Sequence, residues 1–263
     1  MRRPPCPPWS PCHALGEACH RAGSRGGPGM NVLAEAVAWL IAPENYVGEG
    51  SIPARVLEHL WFTAIAVGLA AVIAIPLGYF IGHTGKGRLW VVGTAGAARA
   101  LPTFGLLLYL VLVMGVSQRE FAAILALVVL AIPPLLAGAY AGIDQIDRAT
   151  LDAATAQGMT QWQLLRRVEI PLSLPLVIGG LRGATLQVVA TVTLVAYVGL
   201  GGLGFDIIQG IPLRRFDQMV GSALLIVVLA LAVDGALAFL ARVATPEGVR
   251  TGRGTDVRAR DRV

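Results

Sequence analysis

About five stretches of this chain are long and apolar enough to cross a bilayer, which restricts it to membrane-spanning helices. They run at about His59–Gly82, within Leu89–Val116, and at about Phe121–Ile143, Leu176–Val198 and Met219–Ala241. Each supplies the ~20 residues that a hydrocarbon core of roughly 30 Å requires at about 1.5 Å per residue. Composition agrees: 55% of the 263 residues are hydrophobic and 14% are charged, against about 25% charged in soluble domains. The pI of about 9.6 would suit a nucleic-acid binder. That class is excluded because the basic residues lie in loops between apolar runs and form no single face. Pro76, Pro102, Pro133 and Pro134 fall inside the runs, where neighbouring helices satisfy the freed backbone groups.

Lys and Arg in short loops set the orientation. Lys86, Arg88, Arg148, Arg166, Arg167 and the tail from Arg242 to Arg262 mark one side as cytoplasmic, while Arg119, Arg214 and Arg215 lie opposite. The chain is therefore expected in a bacterial or archaeal inner membrane, N-terminus outside and C-terminus cytoplasmic. Four segments follow. Residues 59–242 form the transmembrane domain, and residues 243–263 a cytoplasmic basic tail. Residues 30–58 form an external segment whose apolar piece 31–42 is too short to span and is expected at the interface. Residues 1–29 are rich in Pro, Gly and Arg and are expected to be a disordered tail, or to precede a true start at Met30. The second version is favoured. Residues 30–58 carry Glu35, Glu44, Glu49 and Glu58 against Arg55, which suits export, whereas Arg2, Arg3, Arg21 and Arg25 do not. Cys6, Cys12 and Cys19 follow no familiar zinc spacing, so no metal site is expected.

Between the third and fourth runs, Asp144–Pro175 is too polar to cross a membrane. Gly158 sits where a first helix should stop, because glycine adopts the left-handed conformation without a Cβ penalty. Thr160 and Gln163 have capping-box spacing for a second helix. Pro171 and Pro175 are expected to end that helix, with extended residues before them. The first helix carries the small side chains Ala153, Ala154 and Ala156. The second presents Trp162, Leu165 and Ile170 among Gln161, Arg166, Arg167 and Glu169, a pattern suited to a groove on a partner protein.

Asp152-Ala153-Ala154, then Gly158, then Val168, Ile170 and Pro171, has the spacing that resembles the EAA loop of ABC-importer permeases. Asp152 stands where family members often have Glu, one methylene longer. Further stretches resemble, in order, the osmoprotectant (glycine betaine/carnitine/choline) permeases: Arg99 to Leu107, Ile132 to Ile143, Ala184 to Leu194, Gly199 to Gly204, and Ala232 to Leu237. The resemblance implies an all-α, type I ABC-importer permease fold with about five core transmembrane helices. It implies two permease chains, identical or paralogous, paired with ABC ATPase subunits that bind the ATP and with an external substrate-binding protein. Asp152, Ala153, Ala154, Gly158, Trp162, Val168, Ile170 and Pro171 would then couple to the ATPase. No cofactor and no catalytic residue is expected in this chain, and nucleic acid is not among its partners. A permease for another solute such as methionine stays open, as does an ion-coupled secondary transporter.

Charges inside apolar runs are functional candidates. Arg182 and Asp234 each lie about eight residues from the cytoplasmic end of their runs, at roughly 12 Å depth by helix rise, and are expected to face each other or share a polar cavity. Arg99 is read as the cytoplasmic edge of the second run, with a pathway charge as the alternative. Gly138-x-x-x-Gly142 and Gly179-x-x-x-Gly183 permit close helix packing. Gly199-Leu-Gly-Gly-Leu-Gly204 satisfies a dinucleotide fingerprint literally, but it follows a membrane run and not a strand, so it is read as a turn-rich loop. Tyr109, Tyr140 and Tyr197 are scattered and form no evident aromatic cage for a quaternary ammonium ligand.

Overall fold

A computed structural model describes residues 31–48, 50–87, 89, 91, 93 and 102–244. The expectations about the cysteines, Met30, Arg99 and the far tail fall outside these residues. Among the described residues nine α-helices follow in order: α1 (Asn31–Ile41), α2 (Ile52–Thr84), α3 (Thr103–Met114), α4 (Arg119–Asp144), α5 (Arg148–Ala156), α6 (Gln161–Leu164), α7 (Ile170–Val192), α8 (Gly204–Leu213) and α9 (Phe216–Ala244). No strand occurs among the described residues. Among the described residues four helical stretches are long and apolar enough to span: Ile52–Thr84, Val116–Asp144, Gln161–Val198 and Phe216–Val243. α3 is the continuously described helix of the second expected run.

Helices α2, α4 and α7 form the centre, and they meet through small residues. Ala66, Ala70 and Ala74 make one fully buried stripe on α2 at a four-residue spacing, and Ala122, Ala123, Ala131 and Ala139 are fully buried on α4. Without a hydrophobic drive between helices in lipid, close backbone approach supplies the dispersion contacts. A Cβ on Gly78 would lie 2.5 Å from the Ala139 Cβ, and one on Gly142 would lie 2.7 Å from the Ser173 Cβ. The large side chains Leu69, Val72, Phe80, Leu231 and Phe239 point outward, as a lipid-facing surface requires.

Two glycine expectations separate here. A Cβ on Gly138 would lie 2.9 Å from the Gly180 Cα, whereas Gly179 and Gly183 have nothing within 4 Å. The contact on α7 is thus Gly180, one residue from the motif read in the sequence, because the helix rotation that buries Val177 and Ile178 turns Gly179 outward. Gly138→Val is expected to lower the amount of inserted, folded protein severalfold. Gly179→Val is expected to leave it unchanged, as fluorescence-detected size-exclusion profiles would report.

Three further expectations are corrected. First, α2 begins at Ile52, seven residues before the expected start of the first run, with Pro53 in its first turn. Second, α1 does not merely lie at an interface: it packs on α9, and the Trp39 ring occupies the space a Cβ on Gly221 would need, 2.5 Å away. Third, Pro171 and Pro175 do not end the helix that starts at Gln161. Glu169 (φ −67°, ψ −49°) and Ile170 (φ −59°, ψ −51°) are helical, and the chain continues unbroken into α7. The reason is a π turn at Leu165–Glu169, where the Ile170 N–H donates to the Leu165 carbonyl five residues back. That wider turn opens the register just ahead of the proline ring, which lacks an N–H and would otherwise crowd the carbonyl four residues earlier.

Candidate functional site

The polar hairpin forms as its local chemistry dictates. The Asp147 side chain caps α5 by accepting from the Ala149 N–H at 3.1 Å. α5 stops at Ala156, and Gly158 (φ 82°) makes the left-handed turn, its N–H donating to the Thr155 carbonyl at 2.9 Å. The Thr160–Gln163 capping box is complete: the Thr160 N–H donates to Gln163 Oε1 at 2.9 Å, and the Gln163 N–H donates to Thr160 Oγ1 at 3.4 Å. Two orphan donors at the start of α6 are thereby satisfied.

Asp152, Ala153, Gly158 and Trp162 are exposed, with Trp162 at 66%. Val168, Ile170 and Pro171 are half-buried, and Ala154 is buried against the chain itself, so it is not part of the free surface. An indole so exposed at a hairpin tip is a large apolar anchor left open among the described residues. Glu169 does not join Gln161, Arg166 and Arg167 on the wet face. It is 3% exposed and accepts from His83 Nδ1 at 2.6 Å. Sequence reading missed this because a Glu beside two arginines looks solvated; its apolar neighbours Val168 and Ile170 were the available signal.

Within the bundle, Arg182 on α7 and Asp234 on α9 meet in a bidentate pair. Arg182 Nε donates to Asp234 Oδ1 at 2.8 Å, and an Nη donates to Oδ2 at 2.7 Å. Their side chains are 38% and 26% exposed, so the pair borders open space rather than lying sealed in the core. Phe104 and Tyr197 stack edge-to-face with centroids 4.9 Å apart. Tyr109 is exposed, and no cage of rings forms among the described residues.

The opposite end carries a second polar assembly. Gly199 (φ 73°) and Gly202 (φ 89°) turn the glycine-rich loop, and the Gly202 N–H donates to Glu58 Oε2 at 2.7 Å. His59 is wholly buried, its Nε2 hydrogen-bonded to the Val189 carbonyl at 2.9 Å. Asp206 on α8 accepts from Gln218 Nε2 at 2.8 Å and from Ser222 Oγ at 3.3 Å, with Arg55 Nε 3.3 Å away. The Arg55 guanidinium also lies 4.3 Å from the Phe205 ring centroid. These bonds tie α2, α8 and α9 together. Burial pushes the Asp206 carboxyl above its ordinary pKa, and Arg55 and the two donors only partly offset that. A raised folded pKa contributes stability that is full below the unfolded value of about 3.9 and is lost as pH rises through the folded value. Asp206→Asn does not ionise, so its thermal-stability deficit relative to wild type is expected to be larger near pH 4 than near pH 7 in detergent-solubilised melts.

The family model described as "Binding-protein-dependent transport system inner membrane component" matches residues 74–245, and the chain belongs to that family. It is 34% identical over 193 residues to the glycine betaine/carnitine/choline transport system permease protein OpuCB of Bacillus subtilis, covering 73% of this chain and 88% of that one. It is 33% identical over 204 residues to the osmoprotectant import permease protein OsmW of Salmonella typhimurium, covering 76% and 95%. An inward-facing crystal form of the MetNI methionine ABC transporter superposes with a TM-score of 0.64 at 23% identity, over 74% of this chain and 96% of that one. The fold is that of a type I ABC-importer permease.

Proposed function

We propose that this chain is the translocation subunit of an osmoprotectant importer, carrying glycine betaine, choline or carnitine, and that a separate ATPase drives it by gripping the hairpin at residues 144–175. The observation that carries the reading is mechanical. The exposed tip at Gly158–Trp162 is joined through α6 and the π turn to α7 without a break in the helix. A push on Trp162 is therefore delivered to a membrane helix rather than absorbed by a loop.

Support for the solute class comes from the named relatives, permeases for glycine betaine, carnitine, choline and osmoprotectants. In this reading the hairpin and the C-terminus are cytoplasmic and the N-terminus external. A second permease chain completes the pathway, an external protein delivers the solute, and the ATP is bound outside this chain. Selectivity resides mainly in that external protein.

The test is expression with the cognate ATPase and binding protein in a transport-deficient host at high salt. Growth rescued by glycine betaine, with the ATPase co-purifying, is the expected result. Rescue of a methionine auxotroph without osmoprotection would instead favour the methionine reading. Uptake that persists without the ATPase would favour an ion-coupled carrier.

A further inference from the structure

We propose that Glu169 and His83 are positioning residues that join the hairpin to α2, so that one push moves two membrane helices. The proposal rests on the coupling role assigned above and deepens it.

The π turn is what makes the contact. Leu164, Glu169, Ser173 and Val177 are all buried and form one seam along the α6–α7 helix, with spacings of five, four and four residues. In an uninterrupted α-helix the seam from Leu164 would pass through residue 168, and residue 169 would lie about 100° off it. The extra residue of the π turn rotates Glu169 onto the seam. A carboxylate that is 3% exposed needs a partner, and His83 Nδ1, in the last turn of α2, lies 2.6 Å from its Oε2.

A second rung lies one turn along. Ser173 is fully buried, and its Oγ donates to the Ile170 carbonyl at 2.8 Å. The same Oγ lies 3.4 Å from the Tyr79 hydroxyl. Tyr79 and His83 are four residues apart on α2, as Glu169 and Ser173 are on the facing helix, so the two contacts form a ladder between parallel rows. Behind it the backbones are close. A Cβ on Gly142 of α4 would strike Ser173, and one on Gly82 of α2 would lie 2.9 Å from the Ile143 Cβ. The hairpin therefore enters the membrane already fastened to α2 and wedged against α4.

The experiment uses the full complex of permease, ATPase and binding protein in proteoliposomes, with radiolabelled glycine betaine as the probe and ATP hydrolysis measured in parallel. Glu169→Ala and His83→Ala are expected to lower betaine moved per ATP at least tenfold, while ATPase association and hydrolysis stay within about twofold of wild type. His83→Asn retains a donor near the Nδ1 position and is expected to restore at least half of the ratio. The double variant H83A/E169A should be no worse than the worse single, because both remove the same contact. An unchanged ratio in the single variants overturns the proposal, and so do additive losses in the double or transport and hydrolysis falling together. If E169A does not insert, H83A and H83N decide alone. A wild-type complex that hydrolyses ATP but moves no betaine, choline or carnitine refutes the functional reading instead, whatever the variants do.

Discussion

Gly158→Val is expected to abolish ATP-driven uptake while leaving membrane insertion and abundance at wild-type levels. The reason is backbone conformation, not bulk. Gly158 has φ 82°, and a Cβ built on it would meet nothing within 4 Å. Space is available; the left-handed turn is not, because an L-residue there costs about 1–2 kcal/mol, and a β-branched one more. At about 1.4 kcal/mol per factor of ten, the ratio of correctly turned to misturned hairpin drops roughly tenfold or further. What is lost is the crossing from α5 to α6, held at the turn by the Gly158 N–H to Thr155 bond and the Met159 N–H to Ala154 bond. Insertion depends on the apolar helices and is untouched. A graded series makes the argument specific. Gly158→Asn, which tolerates positive φ, should transport at near wild-type rates, and Gly158→Ala should be intermediate. Betaine uptake in whole cells, normalised to membrane-inserted permease, is the measurement. Equal uptake for Val and Gly would mean that the turn bears no force.

Much of this molecule could be read from its sequence wherever a local rule and the tertiary environment agree. The apolar runs became helices because lipid leaves the backbone no other way to satisfy itself. The stop at Gly158 and the capping box at Thr160 are short-range chemistry, complete within a few residues. Arg182 and Asp234 stood out because each charge interrupts an apolar run at the same depth. The misreadings have the opposite origin. Proline rules treat Pro171 as a terminator, yet a π turn just before it removes the clash, and nothing in the residues around Leu165–Glu169 announces that turn. Glu169 was placed on the wet face because its partner, His83, lies 86 residues away in sequence. Ile52–Glu58 was read as a polar stretch because its polar residues mask a helix. Only in three dimensions does Arg55 find Asp206, and Glu58 the Gly202 N–H.

Breaking the Arg182–Asp234 pair on one side is expected to have the other large effect. Arg182→Met leaves a lone carboxylate within the bundle, and Asp234→Leu leaves a lone guanidinium. An unpaired charge at membrane depth is costly enough to drive water entry or helix displacement. Each single variant should reduce inserted protein severalfold and uptake more than tenfold. The double variant R182M/D234L removes both charges and keeps comparable volume, so insertion should recover. Uptake should not recover with it. The pair is half-open, 38% and 26% exposed, and in the proposed reading its charge borders the solute's path as well as pinning two helices. The reversed pair R182D/D234R preserves the charges across the α7–α9 contact and should return more uptake per inserted molecule than the apolar double. If the apolar double transports as well as wild type, the pair is only a fastener between two helices, and the pathway must be sought on another face of α7.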